Sequence, residues 1–428
     1  MTRIVILGGG FAGAYCAQAL QRGLDGIQAD VLLIDRNNYF VFYPLLIEAG
    51  TGSLEPRHAV VPLRSFLRKV RFRMAETTSV DLARRIVTAR VPGEPSSSEI
   101  PYDHLVLALG SVTRLPDVPG LRQYGFEMKS LPDAVLIRDR AIQMLERADA
   151  APDEARRRAL LRFLVVGANF TGVEVAAELQ VFLQQALRRY PNVAVADIDV
   201  TLVEMADRIL PALDASLASY AAEKMRRRGI GIRLKSSVAR IDPEEATLSG
   251  GEKLPCLTVI WCAGIRPHPL IAGMGLPTTP QGYLQCDGFL RVREHDNIWA
   301  VGDGASIPNP DGGVYPPTAQ HALREGKHVA ANLKRVLSGG TPRPFRYTSK
   351  GSLVPLGCRS AVAEVFGFKI SGFLAYFLWR TYYWMMMPGW SRKLRLAFDW
   401  TADLFFKRDI VQLGIHRRTR EEQDGHVV

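Results

Sequence analysis

Two segments of this chain share one form: an apolar strand, a glycine turn, a helix, a second strand and a closing acid. The first is Ile4-Val5-Ile6-Leu7-Gly8-Gly9-Gly10-Phe11-Ala12-Gly13. It continues through a helical stretch at 14–20 and an apolar run at 31–34 to Asp35. The second is Phe163-Leu164-Val165-Val166-Gly167-Ala168-Asn169-Phe170-Thr171-Gly172, followed by a helical stretch at 173–187, an apolar run at 200–203 and Glu204. Such a segment has few folding options: it makes a parallel βαβ unit with the turn at the carboxyl end of its first strand. Two of them predict an α/β protein with two Rossmann-like dinucleotide-binding domains. A chain that holds two dinucleotides is expected to be an electron-transfer enzyme.

The residue types fit the chemistry. In Gly8-x-Gly10-x-x-Gly13 the first glycine allows the tight turn, the second lets backbone approach a pyrophosphate, and the third lets helix and strand pack closely. The helix N-terminus offers N–H groups and a positive dipole end to phosphate. Asp35, 22 residues after Gly13, is placed to accept from a ribose. The second turn departs from this pattern, because Asn169 replaces the middle glycine. Its side chain is expected either to hydrogen-bond a nucleotide or to mark a lapsed site. Glu204 suits a ribose 2′-hydroxyl and repels a 2′-phosphate, favouring NADH, while Arg208 keeps NADPH open.

Further strands are expected at 105–109, leading to Gly110-Ser111, at 258–261, leading to Cys262-Ala263-Gly264, and at 297–301, leading to Gly302-Asp303-Gly304. Asp303 can reach a polyol or cap the next helix, and the two are compatible. Residues 148–158 read as a solvated helix or linker. The proline-rich loop 308–317 must be ordered by its neighbours or by a ligand, and helical periodicity resumes at 318–333.

With 428 residues, 47% of them hydrophobic, the chain can build two or three domains. Its net charge of +11 allows nucleic acid, an anionic membrane surface or acidic ligands as partners. No zinc-finger or RNA-binding spacing accompanies the charge, so no nucleic acid is expected. Five cysteines without a CxxC pair fit a reducing compartment. The N-terminus reads directly into a strand, so no signal peptide is expected, and no run of about 20 apolar residues suggests a spanning helix. The eight histidines form no metal-ligand pattern.

Between 366 and 406 the composition changes: 14 of 41 residues are aromatic, including four of the six tryptophans. Basic residues interleave and follow, among them Arg380, Arg392, Lys393, Arg395, Lys407, Arg408, Arg417, Arg418 and Arg420. Aromatics at a membrane–water interface with snorkelling cations explain this composition, as does a capping subdomain or a homodimer interface.

Taken together these motifs resemble the type II NADH dehydrogenases, single-subunit NADH:quinone oxidoreductases within the two-dinucleotide flavoprotein superfamily. The resemblance spans nearly the whole chain. It rests on Gly8–Gly13, on Asp35-Arg36-Asn37-Asn38-Tyr39 with Phe42-Tyr43-Pro44-Leu45-Leu46, and on Leu107-Ala108-Leu109-Gly110. It continues in Gly172-Val173-Glu174, Trp261-Cys262-Ala263-Gly264, Val301-Gly302-Asp303, Thr318-Ala319-Gln320 and Lys350-Gly351-Ser352-Leu353.

The resemblance implies domains at 1–118 and 263–335 for FAD, at 119–262 for NADH, and a C-terminal membrane-associating or dimerisation region at 336–428. It implies non-covalent FAD at Gly8, Gly10, Phe11, Ala12, Gly13, Asp35, Arg36, Gly110, Gly302, Asp303, Ala319, Gln320 and His321, with Asp303 on the ribityl chain. NADH is implied at Gly167, Asn169, Phe170, Thr171, Gly172, Glu204, Ala263 and Gly264. Glu174, Gln320 and Lys350 are implied at the reaction centre, and no metal is expected. Hydride would pass from NADH to the flavin and two electrons onward to a quinone, without proton pumping. The implied setting is a respiratory-chain enzyme, a homodimer, peripheral on the cytoplasmic face of the inner membrane through residues 366–420.

One departure concerns the acceptor. Where the family pattern has a glutamine pair, this chain has Arg324-Glu325. A soluble NADH:acceptor reductase with those residues facing a polar substrate is one alternative. An NADH-sensing flavoprotein that docks a partner through the aromatic C-terminus is another. Neither Cys16, within the first helix, nor Cys262 or Cys358 has a partner at the spacing a flavin–disulfide relay requires. His321 is read as a proton shuttle or as a packed histidine.

Overall fold

The computed structural model describes residues 1–22 and 28–414. Arg417, Arg418, Arg420 and the polar tail lie outside the described residues. The chain divides into two units, one made of 1–41, 60–112 and 265–349, the other of 42–59, 113–264 and 350–428.

The first unit is built on a five-stranded parallel sheet in the order Ile298–Ala300, His104–Leu107, Thr2–Leu7, Ala29–Asp35, Arg71–Met74. Ile4, Ile6, Leu33, Leu105 and Val106 are fully buried in it, the near-continuous apolar character a parallel sheet covered on both faces requires. The helix Phe11–Gln21 leaves the turn after the central strand. Helix Ala319–Leu337 packs along it, so closely that a Cβ on Gly326 would stand 2.1 Å from the Ala12 carbonyl oxygen. The loop at 308–317 is ordered by its neighbours. Tyr315 is buried, its amide donates to the Ile307 carbonyl, and its ring packs edge-on against Phe345.

The second unit repeats the plan with the order Gly125–Glu127, Thr258–Trp261, Arg162–Val166, Asp199–Val203, Ile230–Arg233, again all parallel. Helix Phe170–Ala186 leaves the turn after the central strand and is buried on most of its surface. Residues 148–158, expected as a solvated helix or linker, are mostly exposed and hold a break between two helices. Helix Leu131–Asp149 stops, Pro152 interrupts the chain, and Asp153 caps a separate helix Glu154–Leu160 by accepting from the Arg156 amide. The proline removes a donor and biases Ala151 away from helical angles, while the aspartate restarts the helix.

An antiparallel sheet of Gly351–Pro355, Ala361–Val365 and Phe368–Gly372 follows in this unit, then helices Phe373–Met386 and Trp390–Phe405. Each of the two helices buries a narrow stripe at helical spacing, Ala375 with Trp379 and Leu396 with Trp400. Phe373, Phe377, Leu394, Phe398 and Phe405 face outward and are more than half exposed. None of the described helices is long and apolar enough to cross a membrane.

Gly326→Ala is expected to destabilise the protein by about 1–3 kcal/mol, because the obstacle is main chain. Urea denaturation of the variant beside the wild type measures it.

Candidate functional site

Each unit carries one glycine turn, and each turn is held by the acid at the end of the neighbouring strand. In the first unit Asp35 Oδ2 accepts from the Gly9 amide at 2.6 Å and Oδ1 from the Asn37 amide at 2.7 Å. Burial pushes the Asp35 carboxyl up, opposed by these two amides and by Arg36. Gly8 adopts φ +99°, and a Cβ on Gly13 would stand 1.9 Å from the Gly8 carbonyl oxygen, so the turn admits only glycine at these places. A Cβ on Gly10 would meet nothing, and no side chain caps the helix that begins there. An open approach to an uncapped helix start fits the pyrophosphate of a dinucleotide. Phe11 and Ala12 are buried, Phe11 against Phe40 and Tyr15, so both would meet a ligand through main chain.

Around this turn stand other expected residues. Gly110 is open on its Cβ side, and Ser111 Oγ donates to Asp303 Oδ2 at 2.7 Å. Helix Ala319–Leu337 begins with Thr318 accepting from the His321 amide. His321 is buried, with Nδ1 2.7 Å from Thr318 Oγ1 and its ring against Tyr315 and Tyr347. Burial, reinforced by Arg324, pushes the imidazole down toward its neutral form. Tyr347 donates to Gln320 Oε1 at 3.0 Å, fixing the amide that the sequence singled out.

The Arg324-Glu325 pair is committed internally. The Arg324 guanidinium lies 4.2 Å from the centre of the Tyr347 ring and donates to the Gln320 carbonyl. Glu325 is only 3% exposed and accepts from the Gly302 amide at 2.7 Å, bracing the turn that carries Asp303. Neither contact serves a polar substrate.

In the second unit Glu204 Oε2 accepts from the Ala168 amide at 2.6 Å and Oε1 from the Ala206 amide at 2.9 Å. Gly172 again abuts the first glycine of its turn, with a Cβ placed 1.8 Å from the Gly167 carbonyl oxygen. Asn169 stands where the first turn has its middle glycine. Its Oδ1 accepts from the Gly172 amide at 3.0 Å, and its Nδ2 donates to the Cys262 carbonyl at 2.8 Å. The side-chain amide thus caps the helix and ties the turn to the segment that follows the neighbouring strand. Phe170 and Thr171 are half-buried in the first turn of that helix. Ala263 and Gly264 follow the strand Thr258–Trp261, where Trp261 Nε1 donates to the Ala263 carbonyl. Arg208 is tied to the Pro211 carbonyl at 2.9 Å.

Glu174 lies one turn into helix Phe170–Ala186, its carboxyl pushed well up by burial and then by the nearby Glu178 and Glu48. Lys350 is exposed, and its carbonyl accepts from the Phe366 amide. All five cysteines are free, Cys358 exposed and the others buried, with burial pushing the Cys16 and Cys262 thiols up to about 12. Among the described residues no cluster could hold a metal ion. Sequence alone does not single out Glu48, Glu178 or Trp400, and Arg408 stands in it only as one of a run of basic residues. The one available signal is two acids, Glu174 and Glu178, four residues apart in an otherwise uncharged helix.

Burial raises the Glu325 carboxyl to about 7. The folded state therefore binds this proton more tightly than the unfolded chain, and its contribution to stability is lost as pH rises toward about 7. Glu325→Gln, which keeps an acceptor for the Gly302 amide, is expected to match the wild type at about pH 4. At about pH 8 it should exceed the wild type by about 1–3 kcal/mol. Thermal denaturation at the two pH values tests this.

Residues 2–326 match the family Pyridine nucleotide-disulphide oxidoreductase, and residues 349–409 match the NDH2 C-terminal domain. The type II NADH:quinone oxidoreductase Ndh of Mycobacterium tuberculosis is 29% identical over 98% of this chain and 93% of its own length. A demethylphylloquinone reductase of Synechocystis is 31% identical over 93% of this chain and 95% of its own. The NDH2 of Plasmodium falciparum solved with NADH shares the fold, with TM-score 0.89 at 22% identity, over 96% of this chain and 99% of that one.

Proposed function

Because the chain belongs to the type II NADH dehydrogenases, within the pyridine nucleotide-disulphide oxidoreductases, we propose that it oxidises NADH on bound FAD and reduces a quinone, without pumping protons. The observation that carries this reading is the succession, in one chain, of two acid-locked glycine turns and an NDH2 C-terminal domain. Bound FAD supplies the chemistry, taking hydride from NADH and passing two electrons on to the quinone.

The residues bind and orient. Gly8, Gly10 and Gly13 admit the FAD pyrophosphate to the helix start, Asp35 receives its ribose beside Arg36, and Asp303 its ribityl chain. Gly110, Gly302, Ala319, Gln320 and His321 line the flavin. Gly167, Asn169 and Gly172 with the helix start at Phe170 and Thr171 receive NADH, with Ala263 and Gly264 alongside. Glu204 takes the adenosine ribose and disfavours a 2′-phosphate. Gln320, its amide set by Tyr347, faces the flavin or quinone. Glu174 serves proton chemistry, and Lys350 favours negative charge on the reduced ring.

The outward aromatics of helices Phe373–Met386 and Trp390–Phe405 form an apolar surface that water does not favour. Arg392, Lys393 and Arg395 beside them suit anionic headgroups. This region seats the enzyme peripherally on the cytoplasmic face of the membrane that holds its quinone, and a homodimer forms there.

Steady-state assays with short-chain quinones, ferredoxins and dyes test the acceptor, and turnover with quinones is expected to lead. Activity with ferredoxins or dyes but none with any quinone would sink the proposal. Glu204→Ala should raise the KM for NADH roughly 10- to 100-fold while FAD content is unchanged. Sedimentation with vesicles should show binding that strengthens with anionic lipid and weakens in high salt. Recovery entirely in the supernatant would remove the membrane assignment.

A further inference from the structure

A second constellation lies within the second unit, assembled from segments far apart in sequence. Glu48 comes from the short helix Leu46–Gly50, and Glu174 with Glu178 from one face of helix Phe170–Ala186. Trp400 and Asp403 come from helix Trp390–Phe405, and Arg408 from the chain just beyond it. Trp400 Nε1 donates to Glu48 Oε2 at 2.8 Å. Arg408 Nη2 donates to Glu178 Oε2 at 2.9 Å, and its Nε lies 3.7 Å from Asp403 Oδ1. The Arg408 side chain is 8% exposed. Its Nε and Nη1 have no hydrogen-bond partner among the described residues, and buried donors of that kind are ordinarily met by water.

From the helix Phe373–Met386, Arg380 lies 4.4 Å from the Trp400 ring and donates to Tyr376 Oη. Tyr376 and Tyr383 complete the titratable groups around the cluster, and Arg359 faces Asp403. Four carboxyl groups thus share the site with the guanidinium groups of Arg380 and Arg408. Withdrawn from water beside other carboxylates, Glu48, Glu174 and Asp403 hold their protons more tightly than exposed acids do.

We propose that Glu48 is the relay through which quinone reduction draws its proton from solution, with Trp400 orienting it and the Arg408–Glu178 pair as a positioning device. The inference rests on the quinone-reductase reading. Each turnover converts NADH, one proton and quinone into NAD⁺ and hydroquinone, so one proton must enter from water. The Glu48 O–H bond breaks, an O–H bond forms on a quinone oxygen by way of Glu174, and water restores the proton on Glu48. Burial and the charge of Glu178 push Glu48 up to about 7, against the Trp400 hydrogen bond, Arg380 and Arg408, so the carboxyl changes hands near neutral pH. Because Trp400 and Arg408 belong to the C-terminal region, the relay exists only while that region is docked on the helices of its own unit.

The experiment is anaerobic stopped-flow on the FAD-loaded enzyme, following flavin reduction by NADH and reoxidation by a short-chain quinone separately from about pH 5 to about pH 9. Wild-type reoxidation should slow as pH rises through about 7. Glu48→Gln should slow it roughly 10- to 100-fold and remove that inflection, the effect being confined to the quinone half-reaction. Removing a negative neighbour lowers the proton affinity of Glu48, and removing a positive one raises it. Glu178→Gln should therefore move the inflection to lower pH and Arg408→Met to higher pH.

Opposite shifts are not produced by a merely structural role. If Arg408→Met does not fold, Glu178→Gln alone decides. An unchanged rate and inflection in Glu48→Gln, or shifts of one sign in both neighbours, would overturn the proposal. An infrared difference spectrum on dithionite reduction gives an independent readout, in which a protonated-carboxyl band present in the wild type should vanish in Glu48→Gln. That band tests Glu48 even if no quinone reoxidises the enzyme, the outcome that would defeat the quinone reading instead.

Discussion

Everything at the two nucleotide turns depends on one contact made twice: a strand-end carboxylate accepting a hydrogen bond from a turn amide. Asp35 does so with Gly9 and Glu204 with Ala168, each at 2.6 Å. A charge-assisted bond of this kind is roughly twice as strong as a neutral one. It fixes the turn that carries the helix start against the neighbouring strand, so the helix start and the acid keep one geometry. The close approach of the third glycine to the first, 1.9 Å for a Cβ in one turn and 1.8 Å in the other, leaves the helix no other position.

The two turns solve the helix start differently. In the first, Gly10 leaves it uncapped, with room for an anion to meet the N–H groups. In the second, Asn169 caps it from within and also secures the Cys262 strand. Glu325 is a third acid used the same way, reaching from the helix Ala319–Leu337 to the Gly302 amide. Its burial holds a proton that an exposed glutamate would release. These three carboxylates act first as braces for backbone turns, and the raised proton affinities of Asp35 and Glu325 follow from their burial.

Much of this was legible because it is local. The apolar strands, the glycine spacing and the acids Asp35 and Glu204 sit within single βαβ units, where periodicity and turn chemistry point the same way. The break at Pro152-Asp153 is also written locally, as a proline and a cap, within a segment expected as a solvated helix or linker. What escaped the reading was tertiary. Nothing in 42–59 signals that this stretch leaves the first unit for the second. Arg408 and Glu178 meet across 230 residues, and Trp400 and Glu48 across 352. An acid in an apolar helix announces that it needs a partner, but sequence does not say which one.

The same burial explains why the C-terminal helices carry so many aromatic residues. Trp379 and Trp400 are spent inward, while Phe373, Phe377 and Phe398 are left outward, so one sequence supplies both a docking stripe and an apolar outer face. Electrons enter this enzyme from NADH and leave to a quinone through one FAD. A double-mixing anaerobic stopped-flow record of the flavin absorbance tests it most directly, with NADH added first and quinone carried in vesicles second. Bleaching by NADH should be followed by full return of the oxidised spectrum with one equivalent of quinone. A flavin that bleaches and then stays reduced in the presence of quinone would contradict it.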